Sequence, residues 1–140
     1  MKTMPECISE IYEMAIRNVL KRIERRGYIT LLEVCNFYTE LLHAFFAEYE
    51  GMEPLTDHFE NYLEREFFRR LESIEGLKKR EFPEPEDWKT ECPFPATVIY
   101  GFDERRIEEG YEELMRKGVK AFLRELEEEL KRGLFFEQPI

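Results

Sequence analysis

The sequence predicts an all-α protein, an antiparallel bundle of four main helices with a long proline-rich crossover between the third helix and the fourth. Two observations predict this class. Apolar residues recur at steps of three and four along four segments, which is the period of an amphipathic helix, and glycines, prolines and capping residues mark the ends of those segments. We expect one domain at 1–140, with helices at about 4–26, 31–50, 57–79 and 104–132, an extended crossover at 81–102 and an apolar tail at 134–140.

The first helix has a clear beginning and a clear end. Thr3 and Glu6 have the spacing of a capping box, and Pro5 lies in the first turn, where its missing amide costs nothing. Gly27 ends the helix. Cations gather in the last turns and complement the negative end of the helix, so we assign them no ligand. These cations are Lys21, Arg22, Arg25 and Arg26.

The second helix follows a short turn, which predicts that it lies antiparallel to the first. Thr30 is the expected N-cap, and Glu33 completes a capping box with it. The run from Ile29 to Tyr49 is rich in aromatic residues and is the longest apolar stretch in the chain. Its wide apolar side predicts contact with more than one partner helix.

The third helix is expected to begin at Thr56 as N-cap and to bury a stripe that includes Leu63, Phe67 and Leu71. Its other sides are densely charged, and Glu66 and Arg70 have helical i,i+4 spacing. We interpret that charged surface as a solvated, ion-paired face. Phe68 is an aromatic residue outside the stripe.

The crossover cannot be a continuous helix because it contains Pro83, Pro85, Pro93 and Pro95. Residues 96–100 are β-branched enough for a short strand, but a strand needs a partner, which another subunit would have to supply. We therefore expect extended backbone there.

The last helix begins at Asp103, a good N-cap, with Phe102 placed to staple against Ile107. Gly118 lies near its apolar side, where it would let a neighbour approach closely, whereas Gly110 is expected to point away. The helix is long for a small domain, so we expect part of it to pack on a second subunit. The tail is too apolar to be left in water, and its dock is its own bundle, a twin subunit or another protein.

Composition excludes several classes of protein. The net charge of −10 disfavours a nucleic-acid partner, because such affinity comes mostly from clustered Lys and Arg. No apolar run is long enough to span a membrane, and the N-terminus lacks the apolar core of a secretory signal, so we expect a cytoplasmic protein. The spacing of Cys7, Cys35 and Cys92 argues against a disulfide framework and a zinc site. Abundant charge with few Asn and Gln indicates a thermophilic source.

One spacing suggests a metal site. Glu40 and His43 form a Glu-x-x-His pair, the unit with which di-iron helical bundles ligate metal. Projection at roughly 100° per residue turns both away from the apolar side of their helix, and no second Glu-x-x-His occurs. His58, the other histidine, also projects to a polar side. We therefore expect no cofactor.

Glu53-Pro-Leu-Thr-Asp57-His58, followed by Leu63-Glu64, loosely resembles the Glu-Pro-Asp-His loop and helix start of the TorD-type chaperones that mature molybdenum enzymes. The stretch carries an insertion and falls early in a short chain, so we do not assign the chain to that family. The resemblance illustrates a class: all-helical proteins that hold another polypeptide.

The function that the sequence predicts is non-enzymatic: a protein-binding, adaptor or chaperone-like helical protein, homodimeric and also able to bind another protein. The expected binding surface is aromatic and apolar, and comprises Phe68, Phe82, Trp88, Phe94, Leu134, Phe135 and Phe136. The alternative is a metal-dependent, di-iron-like or hydrolytic enzyme that uses Glu40, His43 and His58.

Overall fold

Helices make up most of the computed structural model, as predicted, and a small three-stranded sheet accompanies them. The structure describes residues 4–48, 57–91 and 97–132. In that part of the chain the elements are α1 (Met4–Arg26), β1 (Ile29–Thr30), α2 (Leu31–Glu48), α3 (Asp57–Glu72), β2 (Lys78–Glu81), α4 (Glu86–Glu91), β3 (Val98–Gly101), α5 (Glu104–Lys117) and α6 (Val119–Arg132).

The first three helices meet at an aromatic cluster. Tyr38 of α2 stacks on Phe67 of α3 with ring centroids 4.6 Å apart, and Tyr12 of α1 lies 6.0 Å from the Phe67 ring. The Tyr12 hydroxyl also donates a hydrogen bond of 2.9 Å to the Leu63 carbonyl. These contacts fix α3 against both α1 and α2. The predicted stripes are buried accordingly, among them Ile11, Ala15, Val19, Ile23, Val34, Leu41, Leu42 and Leu71.

The sheet is the main departure from the prediction. β3 is the central strand and pairs antiparallel with β1 on one side and β2 on the other. Tyr100 lies opposite Ile29 of β1 and Lys79 of β2. The β-branched run near 96–100 therefore forms a strand whose partners come from the same chain and not from another subunit. The expectation of a wholly extended crossover is wrong because residues 86–91 form the helix α4. Val98, Ile99 and Tyr100 are buried, which explains their apolar, β-branched character.

The crossover also contains the short helix α4. Its first turn follows Pro85, whose carbonyl accepts a hydrogen bond of 3.1 Å from the Trp88 amide. Trp88 is only 3% exposed and belongs to the main core cluster. The prolines thus delimit a helical turn that carries one large buried side chain.

α3 ends earlier than predicted, at Glu72 instead of residue 79. Two four-residue turns follow, in which the Ile74 amide donates to the Leu71 carbonyl and the Leu77 amide donates to the Ile74 carbonyl. Residues 78–81 then pair with β3. Lys78, Lys79 and Arg80 therefore occupy an edge strand and not the end of the predicted helix at 57–79. Charged side chains on an edge strand hinder pairing with another molecule.

The long last helix is broken at Gly118, which has φ +87 and ends α5. That left-handed conformation suits glycine and not a helix interior. A Cβ at Gly118 would meet no atom of the described residues within 4 Å, so the predicted close approach of a neighbour is wrong for that part of the chain. Gly110 does not point away either: it is buried, and a Cβ there would lie 2.6 Å from the Tyr28 ring. The absence of a side chain at Gly110 therefore makes room for Tyr28.

The four-helix bundle is not confirmed, because the described chain adds a sheet and divides the last helix in two. Predictions about the Thr3 cap, the Thr56 cap and the tail at 134–140 lie outside the described residues. Among those residues, no helix is both long enough and apolar enough to cross a membrane.

Candidate functional site

One face of α3 is exposed and carries the side chains most suited to contacting another molecule. Leu63, Phe67 and Leu71 are buried on the opposite face. Asn61, Arg65 and Arg69 follow one another at intervals of one helical turn on the exposed side, and Tyr62 lies beside Asn61; Glu64 is also exposed. The row from Asn61 to Arg69 extends roughly 12 Å along the axis at 1.5 Å per residue. It combines amide, phenol and guanidinium groups in one line.

Glu66 flanks this row and accepts bonds from two guanidinium groups. Its carboxylate lies 2.5 Å from Arg69 and 3.5 Å from Arg70. The hydrogen bonds from Arg69, above all, lower the pKa of Glu66 below its ordinary value. Arg69 keeps 67% of its side chain exposed, and such surface pairs contribute little to stability. Its guanidinium group is therefore free to exchange partners.

β2 lies beside the C-terminal end of α3 and adds cations there. Lys78 and Lys79 are exposed, and the Lys79 ammonium group lies 3.4 Å from the Glu72 carboxylate at the end of α3. Tyr100 of β3 donates a hydrogen bond of 2.9 Å to the same carboxylate. Glu72 thus ties the sheet to α3, so that the helix and the β2 edge form one continuous surface, which we call the α3–β2 face.

The net charge is distributed unevenly along the chain. Residues 57–82, which contain the α3–β2 face, hold six Lys and Arg against seven Asp and Glu, whereas the whole chain holds 21 against 31. Glu66 and Glu72 also lie within ion-pair distance of Arg69, Arg70 and Lys79. The α3–β2 face is therefore nearly neutral on an acidic protein.

A buried ion cluster holds the surrounding helices in place. Glu33 is 1% exposed and accepts bonds of 2.6 Å from Arg22 and from Arg26 of α1. Arg22 also pairs at 2.6 Å with Glu129 of α6. Burial alone would raise the pKa of Glu33, but Arg26 and Arg22 outweigh burial and lower it. The cluster joins α1, α2 and α6.

The sequence predicted only part of this cluster. The capping box is confirmed: the Thr30 amide donates to Glu33 at 3.1 Å and the Glu33 amide donates to the Thr30 hydroxyl at 3.3 Å. The two arginines were interpreted as complements of the helix end, and their shared partner was missed. The available signal was their i,i+4 spacing, which places Arg22 and Arg26 on one side of α1.

A groove lies between the C-terminal half of α1 and the junction of β3 with α5. Its volume is about 560 Å³, and Phe102 on its wall is 42% exposed. Apolar side chains and charges of both signs line it: Leu20, Ile23, Glu24, Gly27, Phe102, Asp103 and Arg106. We call it the Phe102 groove.

Part of the predicted aromatic binding surface is packed in or against the core. Phe68 packs against Phe67 with centroids 5.3 Å apart, and Phe82 stacks on Tyr111 at 4.3 Å. Trp88 is buried, as described above. The remaining predicted residues, Phe94, Leu134, Phe135 and Phe136, lie outside the described residues. Binding through this set stays a prediction.

The alternative metal site is only partly covered by the structure. Glu40 is half-buried on α2. His43 lies in α2 and His58 in the first turn of α3, but their side chains are outside the described residues. Among the described side chains, no group of three or more His, Cys, Asp or Glu is arranged to hold a metal ion.

The pKa values of several titratable side chains are shifted further from neutral pH. Burial raises the pKa of Cys35 to about 11, and it raises the pKa of Tyr12 and of Tyr28 to about 12. Burial also raises the pKa of Tyr100. A nucleophile or general base works best with a pKa near the working pH, so these four groups are poorly suited to either role.

Comparison with known proteins finds no matching protein-family model, no matching curated protein and no matching solved structure.

Proposed function

We propose that this chain is a winged helix-turn-helix protein that binds double-stranded DNA through the α3–β2 face. The order α1-β1-α2-α3-β2-β3 together with the strand order β1-β3-β2 supports the proposal. In that topology α2 and α3 are the two helices of the helix-turn-helix, and β2 and β3 are the strands of the wing. This likeness is one of topology, so the functional argument rests on the side chains of α3.

The exposed row of α3 carries the observation that favours DNA. A helix-turn-helix protein lays its second helix in the major groove. There an arginine can bond both acceptors of guanine and an asparagine both polar groups of adenine. Asn61, Arg65 and Arg69 supply these groups on one exposed side, over a length of roughly three to four base pairs. Tyr62, 54% exposed, adds a phenol that can bond a phosphate.

The net charge of −10 led to the prediction of no nucleic-acid partner, and that prediction stays untested. The α3–β2 face is near neutral, so it repels phosphate less than the net charge of the whole chain implies, and association depends on the charges that meet the phosphates. The β2–β3 connection carries Glu84, Glu86, Asp87 and Glu91. We therefore assign DNA contact to α3 and to Lys78 and Lys79 of β2, and not to the connection.

Fluorescence anisotropy with labelled duplexes tests the proposal. At about 50 mM salt, where phosphate contacts are strong, we expect the full chain to bind a mixed-sequence duplex and to weaken as salt rises. Arg65→Ala should lower the affinity about 5- to 150-fold, which corresponds to roughly 1–3 kcal/mol for a specific base contact.

The matched control is Arg124→Ala, which removes an exposed arginine from α6 and should leave binding unchanged. An equal loss in the two variants would show that the effect is one of net charge and would contradict the assignment to α3. No binding at low salt would reject the proposal itself.

A second candidate is the predicted protein-binding, adaptor or chaperone-like role, and the Phe102 groove favours it. A half-exposed aromatic ring beside an apolar floor is typical of protein contact sites. Benzoylphenylalanine in place of Phe102 should crosslink to a polypeptide other than a second copy of this chain, whereas benzoylphenylalanine in place of Arg124 should not. Absence of such a crosslinked species from position 102 would reject this candidate.

A further inference from the structure

We propose that the Phe102 groove is a self-association surface, and that its occupant is a second copy of this chain. The groove contains both an apolar projection, the Phe102 ring, and an apolar floor that includes Leu20 and Ile23. Full burial of a phenylalanine side chain is favourable by roughly 1.5–3 kcal/mol. At 42% exposure Phe102 has much of that burial still to gain.

The shape of the groove suits an exchange between identical partners. A two-fold dimer uses the same patch on both subunits, so the patch must be complementary to itself. Here one patch offers both the ring that inserts and the space that receives a ring. Its volume of about 560 Å³ lies within the range of roughly 300–1,000 Å³ that is usual for binding pockets.

The charges at the groove are also complementary to themselves. Glu24 lines it from α1 and Arg106 lines it from α5, and both are exposed; Asp103 also lines it, with its carboxylate held by the Arg105 amide at the start of α5. Among the described residues, Arg106 pairs with Glu109 at a distance of 3.5 Å. In a two-fold pair, Arg106 of each copy faces Glu24 of the other. Such pairing offsets the repulsion that two chains of net charge −10 experience.

The two-fold arrangement has a consequence for the proposed function without depending on it. Dimeric helix-turn-helix proteins bind two half-sites about one helical turn apart, so a pair formed through the Phe102 groove would present two α3 helices. Self-association is measured without DNA. A failure of DNA binding and a failure of self-association are therefore separate results.

Charge exchange between two variants tests the proposal by sedimentation velocity at tens of micromolar protein. We expect the unmodified chain to sediment as a dimer. Arg106→Glu and Glu24→Arg should each sediment as a monomer, because each places like charges together at both contacts of the two-fold pair. An equal mixture of the two variants should recover a dimer, because both contacts of a mixed pair then join charges of opposite sign.

The matched controls are Arg105→Glu and Glu13→Arg, which make the same changes at exposed positions outside the groove. Both should remain dimeric, and circular dichroism should show unchanged helix content in all variants. A monomeric unmodified chain would overturn the proposal, as would unchanged association of Arg106→Glu.

A chain truncated after Arg132 tests the remaining candidate for the interface, the apolar tail at 134–140. If truncation abolishes association while Glu24→Arg and Arg106→Glu leave it intact, the apolar tail forms the interface and the proposal is wrong. If the truncated chain still dimerises and the charge variants do not, the groove is the interface.

Discussion

Two glutamates of this protein each form ion pairs with two arginines, and the two glutamates differ mainly in burial. Glu33 binds Arg22 and Arg26 and is 1% exposed. Glu66 binds Arg69 and Arg70 and is 25% exposed. The pKa of both carboxyl groups is lowered. The same chemical unit therefore occurs once in the interior and once on the surface.

Because of this difference in burial, the Glu33 unit stabilises the fold, whereas the Glu66 unit leaves its arginines accessible at the surface. Water cannot replace Arg22 and Arg26 around Glu33, so loss of one partner leaves charge stranded in the interior. Around Glu66, water and salt compete with both arginines. The buried unit holds α1 against α2. The arginines of the exposed unit, on α3, can exchange Glu66 for another anion.

The largest expected effect is the loss of the buried charge. Glu33→Gln preserves the size of the side chain but removes the counter-charge of Arg26 and leaves Arg22 paired with Glu129 alone, which should lower the free energy of unfolding by about 3–5 kcal/mol. Urea unfolding followed by circular dichroism measures this change, since urea does not screen charges.

Glu66→Gln is the matched control because it makes the same chemical change in the exposed unit. It should leave the free energy of unfolding nearly unchanged, because water and salt compete with the arginines around Glu66. Equal losses in the two variants would show that burial does not distinguish the two units.

The second expected effect is a loss of folding stability at low pH. Because the folded-state pKa of Glu33 is lowered, its contribution to stability is present above the ordinary glutamate value of 4.5 and is lost as pH falls through the folded-state pKa. The stability of the unmodified chain in urea should therefore decrease below pH 4.5. In Glu33→Gln that decrease should be smaller, and an identical pH profile would show that Glu33 does not titrate with folding.

Local patterns predicted much of the helical structure. The stripe of α1, the capping box of Thr30 and Glu33, and the Asp103 cap all depend on neighbours in sequence. The Asp103 carboxylate accepts a bond of 2.9 Å from the Arg105 amide, as an N-cap should. Such interactions join residues that are close in sequence, so the spacing of the residues is enough to predict them.

The sheet and the candidate site depend on distant residues and were missed for that reason. β1 has two residues and immediately precedes a strong helix start, while β2 reads Lys-Lys-Arg-Glu, which lacks apolar alternation. Only their pairing with β3 makes them strands. The row on α3 was interpreted as a solvated face because its periodicity is the same for either role, and its side chains become candidates for DNA contact once the topology around α3 is known.

The smallest expected effect returns to the exposed unit and concerns binding. Glu66→Gln removes a negative charge from the edge of the α3–β2 face and releases the guanidinium group of Arg69. If that face meets phosphate, duplex DNA affinity should rise by up to about fivefold, because one negative charge near the phosphates is removed. Glu128→Gln, which neutralises an exposed glutamate on α6, should change affinity less. An equal rise in both variants would assign the gain to net charge alone, whereas a fall in Glu66→Gln would show that Glu66 positions Arg69 for binding instead of competing for it.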